Sequence, residues 1–303
     1  MTPGVGRTLV VETVGPQALV VDRGRPGWAH IGVPPAGALD GPAHALAQRL
    51  VGNPPDAAGL EVLLGGLAVR ATEPVTVALT GPPGGLRVRR ADGPERVVAS
   101  HQPVHVAAGD VVVVPPPASG LRGYLAVGGG LAVDEVLGSR SADTLSGLGP
   151  PPLEVGTTLP LGPPTTIPAT GTGAIGISAA PDAVTVRLHL GPRADWVDDA
   201  ADRLGAGTWT VAPTGDRVGV RLEGPVLERA SARRAEELRS EGLVGGAVQV
   251  PPDGQPVVFL ADHPTTGGYP VVGVVDPAGL AAFAQLRPGS SVRFSPVVTP
   301  PPD

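Results

Sequence analysis

The sequence GGAVQVPPDGQPVVFLADHPTTGGY, residues Gly245–Tyr269, carries the pattern that decides the fold prediction. Two short apolar runs, Ala247–Val250 and Val257–Ala261, flank the turn residues Pro251–Gly254. Short apolar runs on either side of a turn rich in Pro and Gly are typical of paired β-strands. An acid, a histidine, two threonines and two glycines follow directly after the second run. The stretch therefore predicts a strand pair that ends in a polar rim.

The residue types of this rim are those that bind or react with a substrate. Asp262 supplies a carboxylate for proton transfer. The threonine hydroxyls can donate hydrogen bonds, and the glycines after them let backbone N–H groups converge on an anion. The alternative is a polar hairpin end that only satisfies its own hydrogen bonds. The candidate residues of this stretch are Gln249, Asp262, Thr265, Thr266, Gly267, Gly268 and Tyr269.

The composition agrees with a β-rich protein. The chain has 303 residues, of which 42% are hydrophobic, with 45 glycines and 38 prolines. The apolar residues, mostly Val, Leu and Ala, occur in short runs separated by Gly and Pro, which predicts many short strands and tight turns. The length favours two domains with separate cores. A composition break between Pro150 and Thr172 places the predicted boundary near residue 170, with domains at 1–170 and 171–303.

Net charge and missing residue types exclude several classes of function. The formal net charge of −6 argues against a nucleic-acid or anionic-membrane partner, because either would favour a basic surface. The chain contains no Cys, which excludes disulfides and thiolate chemistry within it. It contains no Lys either, which excludes a biotinylated lysine, a Schiff-base lysine and a Walker A lysine.

Metal binding and membrane insertion are not predicted. His101 and His105 lack a third ligand at a fixed spacing, so no metal site is assigned to them. The N-terminal residues do not have the apolar core of a signal peptide. No apolar run approaches the roughly 20 residues that a membrane helix needs. We therefore expect a soluble cytoplasmic protein.

A helix is predicted to begin at Asp40. This residue stands at an N-cap position, Pro42 lies in the first turn, and apolar residues recur at helical spacing as far as Leu50. Asp40 is either a plain N-cap or a carboxylate at the rim of a site. The carboxylate alternative makes it a candidate for proton transfer.

Two further helices are predicted in the second half of the chain. One begins at Asp195 and places Trp196, Ala200 and Leu204 on a single apolar face. Trp196 is expected in the core. The other is a short helix that begins after Asp276.

A pair of arginines is the strongest candidate anion site before the rim stretch. If Thr214–Leu222 forms a strand, Arg217 and Arg221 lie on one face with Gly219 between them. Two guanidinium groups in this arrangement can clamp a carboxylate or a phosphate. The alternative is a pair of solvated or acid-paired arginines.

The polar loop Gly138–Thr144 offers a further candidate. Ser139 and Arg140 could hold a carboxylate or a phosphate, or they could simply tie down the loop.

Several of these motifs, in this order, resemble one protein family. It is the biotin-dependent carboxyltransferase-like family that includes the C subunit of 5-oxoprolinase, also labelled allophanate hydrolase subunit 2 or KipA-like. The similarity extends over nearly the whole chain. The motifs that carry it are Asp22–Arg25, Gly32–Pro34 with Gly37–Asp40, Leu50–Asn53 with Leu60–Glu61, Leu137–Ser141, Asp216–Leu222 and Gly245–Tyr269.

The resemblance implies a fold and a set of partners. It implies two cyclophilin-like β-barrel domains, acting with a KipI-like B subunit and a LamB/YcsF-like A subunit. Such proteins together resemble the ATP-dependent 5-oxoprolinase, which opens 5-oxo-L-proline to L-glutamate. Two departures fall in or near the loop between the barrels: Ala142 and Asp143 follow Ser141 where many members have Thr, and Gly156–Thr157 replaces a common Gly-Asp pair.

The family also contains other activities. A related arrangement forms the carboxyltransferase part of urea carboxylase, where carboxybiotin on a carrier protein meets urea, and a KipA-type regulator binds a KipI-like partner. The favoured hypothesis is the C subunit of a 5-oxoprolinase. ATP is then expected to be held by the complex rather than by this chain alone, and no biotin is attached to this chain. A small molecule is the expected substrate.

The hypothesis assigns roles to the candidate residues. Opening a lactam calls for an activated carbonyl and stabilisation of negative charge. Arg217 and Arg221 are assigned to the substrate carboxylate or phosphate, and Asp262 or Asp40 to proton transfer. Residues 265–268 are assigned to an anion cradle. His263 follows Asp262 directly, so on a strand the two would point to opposite faces.

Overall fold

The computed structural model describes residues 6–164 and 181–297. The chain divides into two compact units, and the second draws on two short segments from the first half of the chain. The predicted boundary near residue 170 lies outside the described residues. The first unit comprises Met1–Arg25, Asp40–Asp143 and Gly147–Ala180, and the second comprises Pro26–Leu39, Thr144–Ser146 and Pro181–Asp303.

The first unit is built from short antiparallel strands in two sheets. One sheet has the order β11-β1-β4-β9-β6-β7 and the other β2-β3-β10-β5-β8, with the following bounds. The strands are β1 (Thr8–Thr13), β2 (Gln17–Val21), β3 (Gly59–Leu63), β4 (Leu67–Ala71), β5 (Val75–Thr80), β6 (Gly85–Arg89), β7 (Arg96–Ala99), β8 (Pro103–Val106), β9 (Val111–Val114), β10 (Arg122–Val127) and β11 (Thr158–Pro160).

One hydrophobic core serves both sheets of this unit. Leu9 and Val69 reach it from the first sheet, and Val20, Leu60 and Leu125 reach it from the second. Each strand contributes mainly Val, Leu or Ala, because these side chains pack well on a pleated surface. The core therefore holds both sheets in one unit.

The predicted helix at Asp40 is present as α1 (Gly41–Leu50). It begins there because the Asp40 side chain accepts a hydrogen bond from the backbone N of Ala43 at 3.0 Å, and Pro42 fits the first turn. Ala47 and Leu50 are buried on its inner face. The N-cap prediction for Asp40 is confirmed.

The second unit is a closed barrel with the strand order β12-β19-β16-β17-β14-β13-β20. It closes through a parallel pairing of β12 with β20, in register from Ala183 opposite Ser291 to His189 opposite Val297. Two short strands, β15 and β18, pair outside the barrel. The strands are β12 (Ala183–Leu190), β13 (Trp209–Val211), β14 (Gly219–Glu223), β15 (Glu241–Gly242), β16 (Ala247–Gln249), β17 (Val257–Phe259), β18 (Thr266–Gly267), β19 (Val271–Val275) and β20 (Ser291–Val297).

Trp209 occupies the core of the barrel. Its side chain is fully buried, and its ring centroid lies 5.4 Å from that of Phe294. Gly207 permits this packing, because a Cβ atom there would lie 2.2 Å from the indole ring. A glycine at this position is therefore required by close packing.

The helix predicted from Asp195 is wrong as a single element. A 3-10 turn at Pro192–Trp196 is followed by a break, and α2 spans Ala200–Ala206. The break occurs at Asp199, whose φ of 50° is left-handed and cannot continue an α-helix. Trp196 is buried as expected.

The last predicted helix is present as α3 (Pro277–Phe283). The Asp276 side chain caps it by accepting a hydrogen bond from the backbone N of Gly279 at 2.7 Å. The prediction of a mainly β protein with a few short helices is confirmed. Across residues 6–164 and 181–297, no helix has the length and apolar character required to cross a bilayer.

Candidate functional site

Arg217 and Asp262 form a buried ion pair in the second unit. Arg217 precedes β14 and Asp262 follows β17, which pair directly in the barrel. The guanidinium donates from Nε to Oδ2 of Asp262 at 2.9 Å and from Nη2 to Oδ1 at 3.0 Å. The side chains are 2% and 0% exposed. A fork of two parallel bonds fixes geometry as well as charge. The structure thus brings together the acid and the first arginine of the predicted site.

Both early segments of the second unit contact this pair. Thr144 donates to Oδ2 of Asp262 from its backbone N at 2.9 Å and from Oγ1 at 2.7 Å. Arg217 also donates from Nη2 to the carbonyl oxygen of Gly37 at 2.6 Å. The Asp262 carboxylate therefore accepts four hydrogen bonds, three at Oδ2 and one at Oδ1. These bonds fix the orientation of the carboxylate.

Arg221 does not join the pair. Its side chain is exposed on β14, whereas Arg217 is buried. The expectation of two arginines on one strand face is corrected, because β14 begins only at Gly219. Before it, Asp216 forms a turn in which its Oδ1 accepts hydrogen bonds from the backbone N of Val218 at 2.8 Å and of Gly219 at 3.1 Å. Strand alternation therefore does not extend back to Arg217.

His263 follows the ion pair directly in sequence and is also buried, but it is held by a different contact. Its side chain is 3% exposed, and Nδ1 lies 2.8 Å from the carbonyl oxygen of Pro264. Nε2 is buried and has no hydrogen-bond partner within the described residues. Because buried polar atoms are rarely left without a partner, this nitrogen is a candidate contact for a ligand.

Gln249, Tyr269 and Gly267 come together at the end of β16. Gln249 is 6% exposed and donates from Nε2 to the carbonyl oxygen of Tyr269 at 3.2 Å. The Tyr269 side chain is 46% exposed. A Cβ atom on Gly267 would lie 2.8 Å from Nε2 of Gln249. The glycine therefore leaves room for the amide of Gln249.

The remaining rim residues belong to the β15–β18 pair. Thr266 and Gly267 form β18 and pair with Gly242 and Glu241 of β15. Thr265 accepts a hydrogen bond at its carbonyl oxygen from the backbone N of Leu243 at 2.9 Å, and Thr266 is exposed. A Cβ atom built on Gly268 would make only ordinary contacts, the nearest at 3.7 Å. The backbone of Thr265–Gly267 is thus used in part for strand pairing.

A surface ion pair anchors β15. Arg193 donates from Nε to both carboxylate oxygens of Glu241, at 3.1 and 3.0 Å. This hydrogen bond lowers the pKa of Glu241 and raises the pKa of Arg193. The pair links the 3-10 turn after β12 to the strand that pairs with β18.

The other predicted site residues lie in the first unit. The Asp40 side chain caps α1, and its backbone N donates to Oη of Tyr124 at 2.8 Å. Ser139 donates from Oγ to Oδ1 of Asp22 at 2.6 Å, and the Arg140 backbone N donates to Oδ2 at 2.6 Å. The guanidinium of Arg140 pairs with Glu135 at 2.7 Å. These contacts match the alternative in which the Ser139–Arg140 loop is tied down.

Comparison with known proteins identifies the family of the chain. The family model described as carboxyltransferase domain, subdomain A and B, matches residues 31–296. The chain is 35% identical over 290 residues to the C subunit of 5-oxoprolinase from Escherichia coli strain K12, covering 94% of this chain and 90% of that protein. The chain belongs to the carboxyltransferase-domain family.

Two solved structures extend the similarity to longer proteins. The structure of TTHA0988 has a TM-score of 0.82 and 36% identity, covering 96% of this chain and 56% of that one. The urea amidolyase of K. lactis has a TM-score of 0.87 and 27% identity, covering 98% of this chain and 19% of that one. The chain therefore spans little more than half of the first structure and about a fifth of the second.

A buried hydrogen-bonded cluster around Asp22 was not predicted from the sequence. Asp22 is 6% exposed and accepts hydrogen bonds from Ser139, Ser141, the backbone of Arg140 and the backbone of Gly24. The bond to Ser139 spans 117 positions of sequence. A contact over that separation has no local pattern. The only sequence signal was the recurrence of polar residues in two loops.

A second missed cluster surrounds Tyr124 on β10. Tyr124 is fully buried and lies opposite Glu61 of β3. Its Oη donates to Oε2 of Glu61 at 2.9 Å, and Arg122 Nε lies 3.5 Å from Oε1. Burial, and then the charge of Glu61, raise the pKa of Tyr124 well above its usual value. The sequence signal for this cluster was one acid, Glu61, within the otherwise apolar strand Gly59–Leu63.

A cavity of about 190 Å³ in the first unit has a different character. Apart from Thr80, its walls are apolar side chains, prolines and glycine backbone, among them Val62, Leu79, Pro82 and Pro115. No titratable side chain lines it. Over the described parts of the chain, no group of three or more His, Asp and Glu residues is placed to hold a metal ion. None of the rim residues lines this cavity.

Proposed function

We propose that this chain is the C subunit of an ATP-dependent 5-oxoprolinase, in which it acts with the KipI-like B and LamB/YcsF-like A subunits to open 5-oxo-L-proline to L-glutamate. The observation that carries the proposal is the reciprocal coverage of the match to the Escherichia coli C subunit, 94% of this chain and 90% of that protein. The relative from Haemophilus influenzae gives the same result, with 30% identity over 93% of this chain and 88% of that protein. This proposal includes the two partner subunits, the binding of ATP by the complex and a cytoplasmic location.

The chemistry of the reaction sets what the site must provide. A lactam is a stable amide, so its carbonyl must be activated before water attacks, and phosphoryl transfer from ATP is the proposed means. Transfer of the γ-phosphoryl group to the carbonyl oxygen releases ADP. Water then adds to the carbonyl carbon, and the C–N bond breaks as the ring nitrogen gains a proton. A second water hydrolyses the resulting acyl phosphate, which releases phosphate and leaves the carboxylate of glutamate. Hydrogen-bond donors around the carbonyl stabilise the negative charge that develops there.

The described residues divide between supporting and substrate-facing roles under this proposal. Arg217 and Asp262 support the site, because their charges are paired and both side chains are buried. Arg217 and Asp262 are thus positioning residues. The groups proposed to face substrate are those around Gln249, Tyr269 and Gly267. There the buried amide of Gln249 donates to the carbonyl oxygen of Tyr269, whose side chain is half-exposed.

A carboxyltransferase in a urea-carboxylase-like system is the second candidate. It is supported by the family model, which describes a carboxyltransferase domain, and by the TM-score of 0.87 to urea amidolyase. These 303 residues contain no Lys, so carboxybiotin would have to be supplied from outside them. This candidate predicts carboxylation of urea when such a carrier is supplied.

Reconstitution tests both candidates. The KipI-like and LamB/YcsF-like subunits from the same source are combined with this chain, and ATP-dependent glutamate formation is measured with and without it. We expect activity only with all three, and loss of at least tenfold with Gln249→Ala, whose matched control is Gln102→Ala on an exposed loop. Equal rates with and without the chain would contradict the proposal. Carboxylation of urea with a carboxybiotin carrier, but no glutamate, would favour the second candidate.

A further inference from the structure

The imidazole of His263 is held in one orientation and one tautomer. Its Nδ1 lies 2.8 Å from the carbonyl oxygen of Pro264. A carbonyl oxygen only accepts hydrogen bonds, so Nδ1 carries the proton in the neutral ring. Nε2 then presents a lone pair, that is, a hydrogen-bond acceptor.

No described residue donates to that acceptor. Nε2 is buried and without a hydrogen-bond partner, and the His263 side chain is 3% exposed. Leaving a buried acceptor unpaired is unfavourable, because its hydrogen bonds to water are lost without replacement. The position of Nε2 is therefore suited to a donor supplied from outside the chain.

Gly245 leaves space beside this acceptor. A Cβ atom built on Gly245 would have Nε2 and Cδ2 of His263 and the carbonyl oxygen of Leu260 as its nearest neighbours, all at 3.9 Å. The backbone of Gly245 is not in the left-handed region, unlike that of Gly246 at φ 85°. The conformation does not require glycine there, and a methyl group in its place would come into ordinary contact with the imidazole.

The ionised group next to His263 in the sequence, the Asp262 carboxylate, is already paired with Arg217. Asp262, the neighbour of His263 in the chain, accepts four hydrogen bonds from Arg217 and Thr144. With the ring proton on Nδ1, His263 offers a lone pair at Nε2. A neutral N–H donor therefore fits Nε2 better than an anion does, since an anion would meet a lone pair.

We infer that His263 Nε2 accepts a hydrogen bond from the N–H of an uncharged amide or ureido group of the substrate. This inference rests on the proposed function, and it deepens that function by naming the recognised group. The names of the relatives 5-oxoprolinase and urea amidolyase refer to a lactam and to urea. Both compounds carry an N–H next to a carbonyl group. His263 is thus a binding residue that selects for nitrogen at that position.

The test compares two ligands that differ in this one group. The reconstituted complex turns over 5-oxo-L-proline, and the lactone in which ring oxygen replaces N–H is added as a competitive inhibitor. Lactone oxygen cannot donate, so we expect the lactone to bind about tenfold more weakly than the lactam, as loss of one hydrogen bond implies. His263→Phe should remove most of this preference, and His263→Gln, which keeps an acceptor at a similar reach, should retain part of it.

A second variant keeps the imidazole intact. Gly245→Ala fills the space without a steric clash, since 3.9 Å is an ordinary contact distance, and should weaken lactam binding. Its control is Gly205→Ala on α2, where a built Cβ has no neighbour closer than 3.4 Å and alanine suits a helix. Equal affinities for lactam and lactone in an active wild-type complex would overturn the inference and leave the proposed function standing. A complex whose ring-opening rate does not depend on this chain would overturn both.

Discussion

Arg217 and Asp262 are joined twice, once through their side chains and once through their backbones. Besides the guanidinium–carboxylate fork, the backbone N of Asp262 donates to the carbonyl oxygen of Arg217 at 3.1 Å. The two residues thus hold together the start of β14 and the end of β17, and they do so inside the second unit at 2% and 0% side-chain exposure. Their main role follows from this position: they fix the backbone from which the rim residues extend.

Removing either partner of the pair should destabilise the second unit strongly. Arg217→Gln or Asp262→Asn leaves the other charge buried without its partner, which typically costs about 3–5 kcal/mol. The double variant Arg217→Met/Asp262→Leu should be less destabilised than the sum, because both charges are removed. Denaturant unfolding followed by the fluorescence of Trp196 and Trp209, both buried in this unit, measures the effect. Additive losses would show that the two side chains are not coupled.

The hydroxyl of Thr144 should contribute measurably to the same cluster. It donates to Asp262 at 2.7 Å, and hydrogen bonds to charged groups contribute about 1.5–3 kcal/mol. Thr144→Val removes this donor at nearly constant volume and should lower the free energy of unfolding by that amount, whereas Thr144→Ser keeps the hydroxyl. Equal losses in both variants would mean that the methyl group matters rather than the hydrogen bond.

Local signals predicted the features that depend on local chemistry. Asp40 and Asp276 cap helices as expected, because capping involves residues only three positions apart. The predicted strand through Arg217 failed because Asp216 closes a turn there, and the Gly215–Asp216 pair was a turn signal that the alternating pattern outweighed.

Long-range contacts could not be predicted from the same patterns. Asp262 and Thr144 lie 118 positions apart, and nothing in the loop at Thr144 indicates that its donors are directed to that carboxylate. The inclusion of Pro26–Leu39 and Thr144–Ser146 in the second unit is likewise a tertiary property. The sequence identified the types of the candidate residues, and only the fold showed that Arg217 is committed to Asp262 while Arg221 is exposed.

Gly267→Ala should weaken substrate binding at the rim residues, whereas Gly268→Ala should not. A Cβ at Gly267 would lie 2.8 Å from Nε2 of Gln249 and 2.9 Å from Cδ1 of Leu243. At Gly268 the nearest atom would be 3.7 Å away, which is an ordinary contact. We expect Gly267→Ala to raise the KM for 5-oxo-L-proline in the reconstituted complex by roughly tenfold, as loss of one or two hydrogen bonds implies. Equal KM values for the two alanine variants would exclude Gln249 from substrate binding.

Tyr124 should make the first unit sensitive to alkaline pH. Burial raises the pKa of Tyr124 above the usual value of 10.0, so the folded state keeps the phenol protonated while the unfolded state ionises. Its stabilising contribution is therefore fully present below pH 10.0 and is lost as pH rises through the folded pKa. Tyr124→Phe should be less stable at neutral pH by about 1–3 kcal/mol, since a donor to Glu61 is lost, and the gap should narrow above pH 10.0. Chemical unfolding at a series of pH values measures this difference in the free energy of unfolding, and a difference that stays constant from neutral to alkaline pH would contradict the prediction. The control is Tyr269→Phe, at an exposed tyrosine.

His44 should make the first unit lose stability on mild acidification. Burial lowers the pKa of His44 below its usual 6.5, although the nearby carboxylates of Asp22 and Glu61 oppose this. The unfolded state then binds the proton more readily than the folded state, so stability that is present above pH 6.5 is lost as pH falls toward the folded pKa.

The His44→Gln variant removes this titration and should show a flatter dependence of the free energy of unfolding on pH below 6.5. Part of the slope should remain, because burial also lowers the pKa of His101. Gln102→Ala, on an exposed loop, changes no titratable group, so it is the control and should keep the wild-type slope. Urea unfolding at a series of pH values measures all three proteins. A His44→Gln slope equal to that of the wild type would show that His44 is not protonated on unfolding in this range, because a group that binds no proton cannot contribute to the pH dependence.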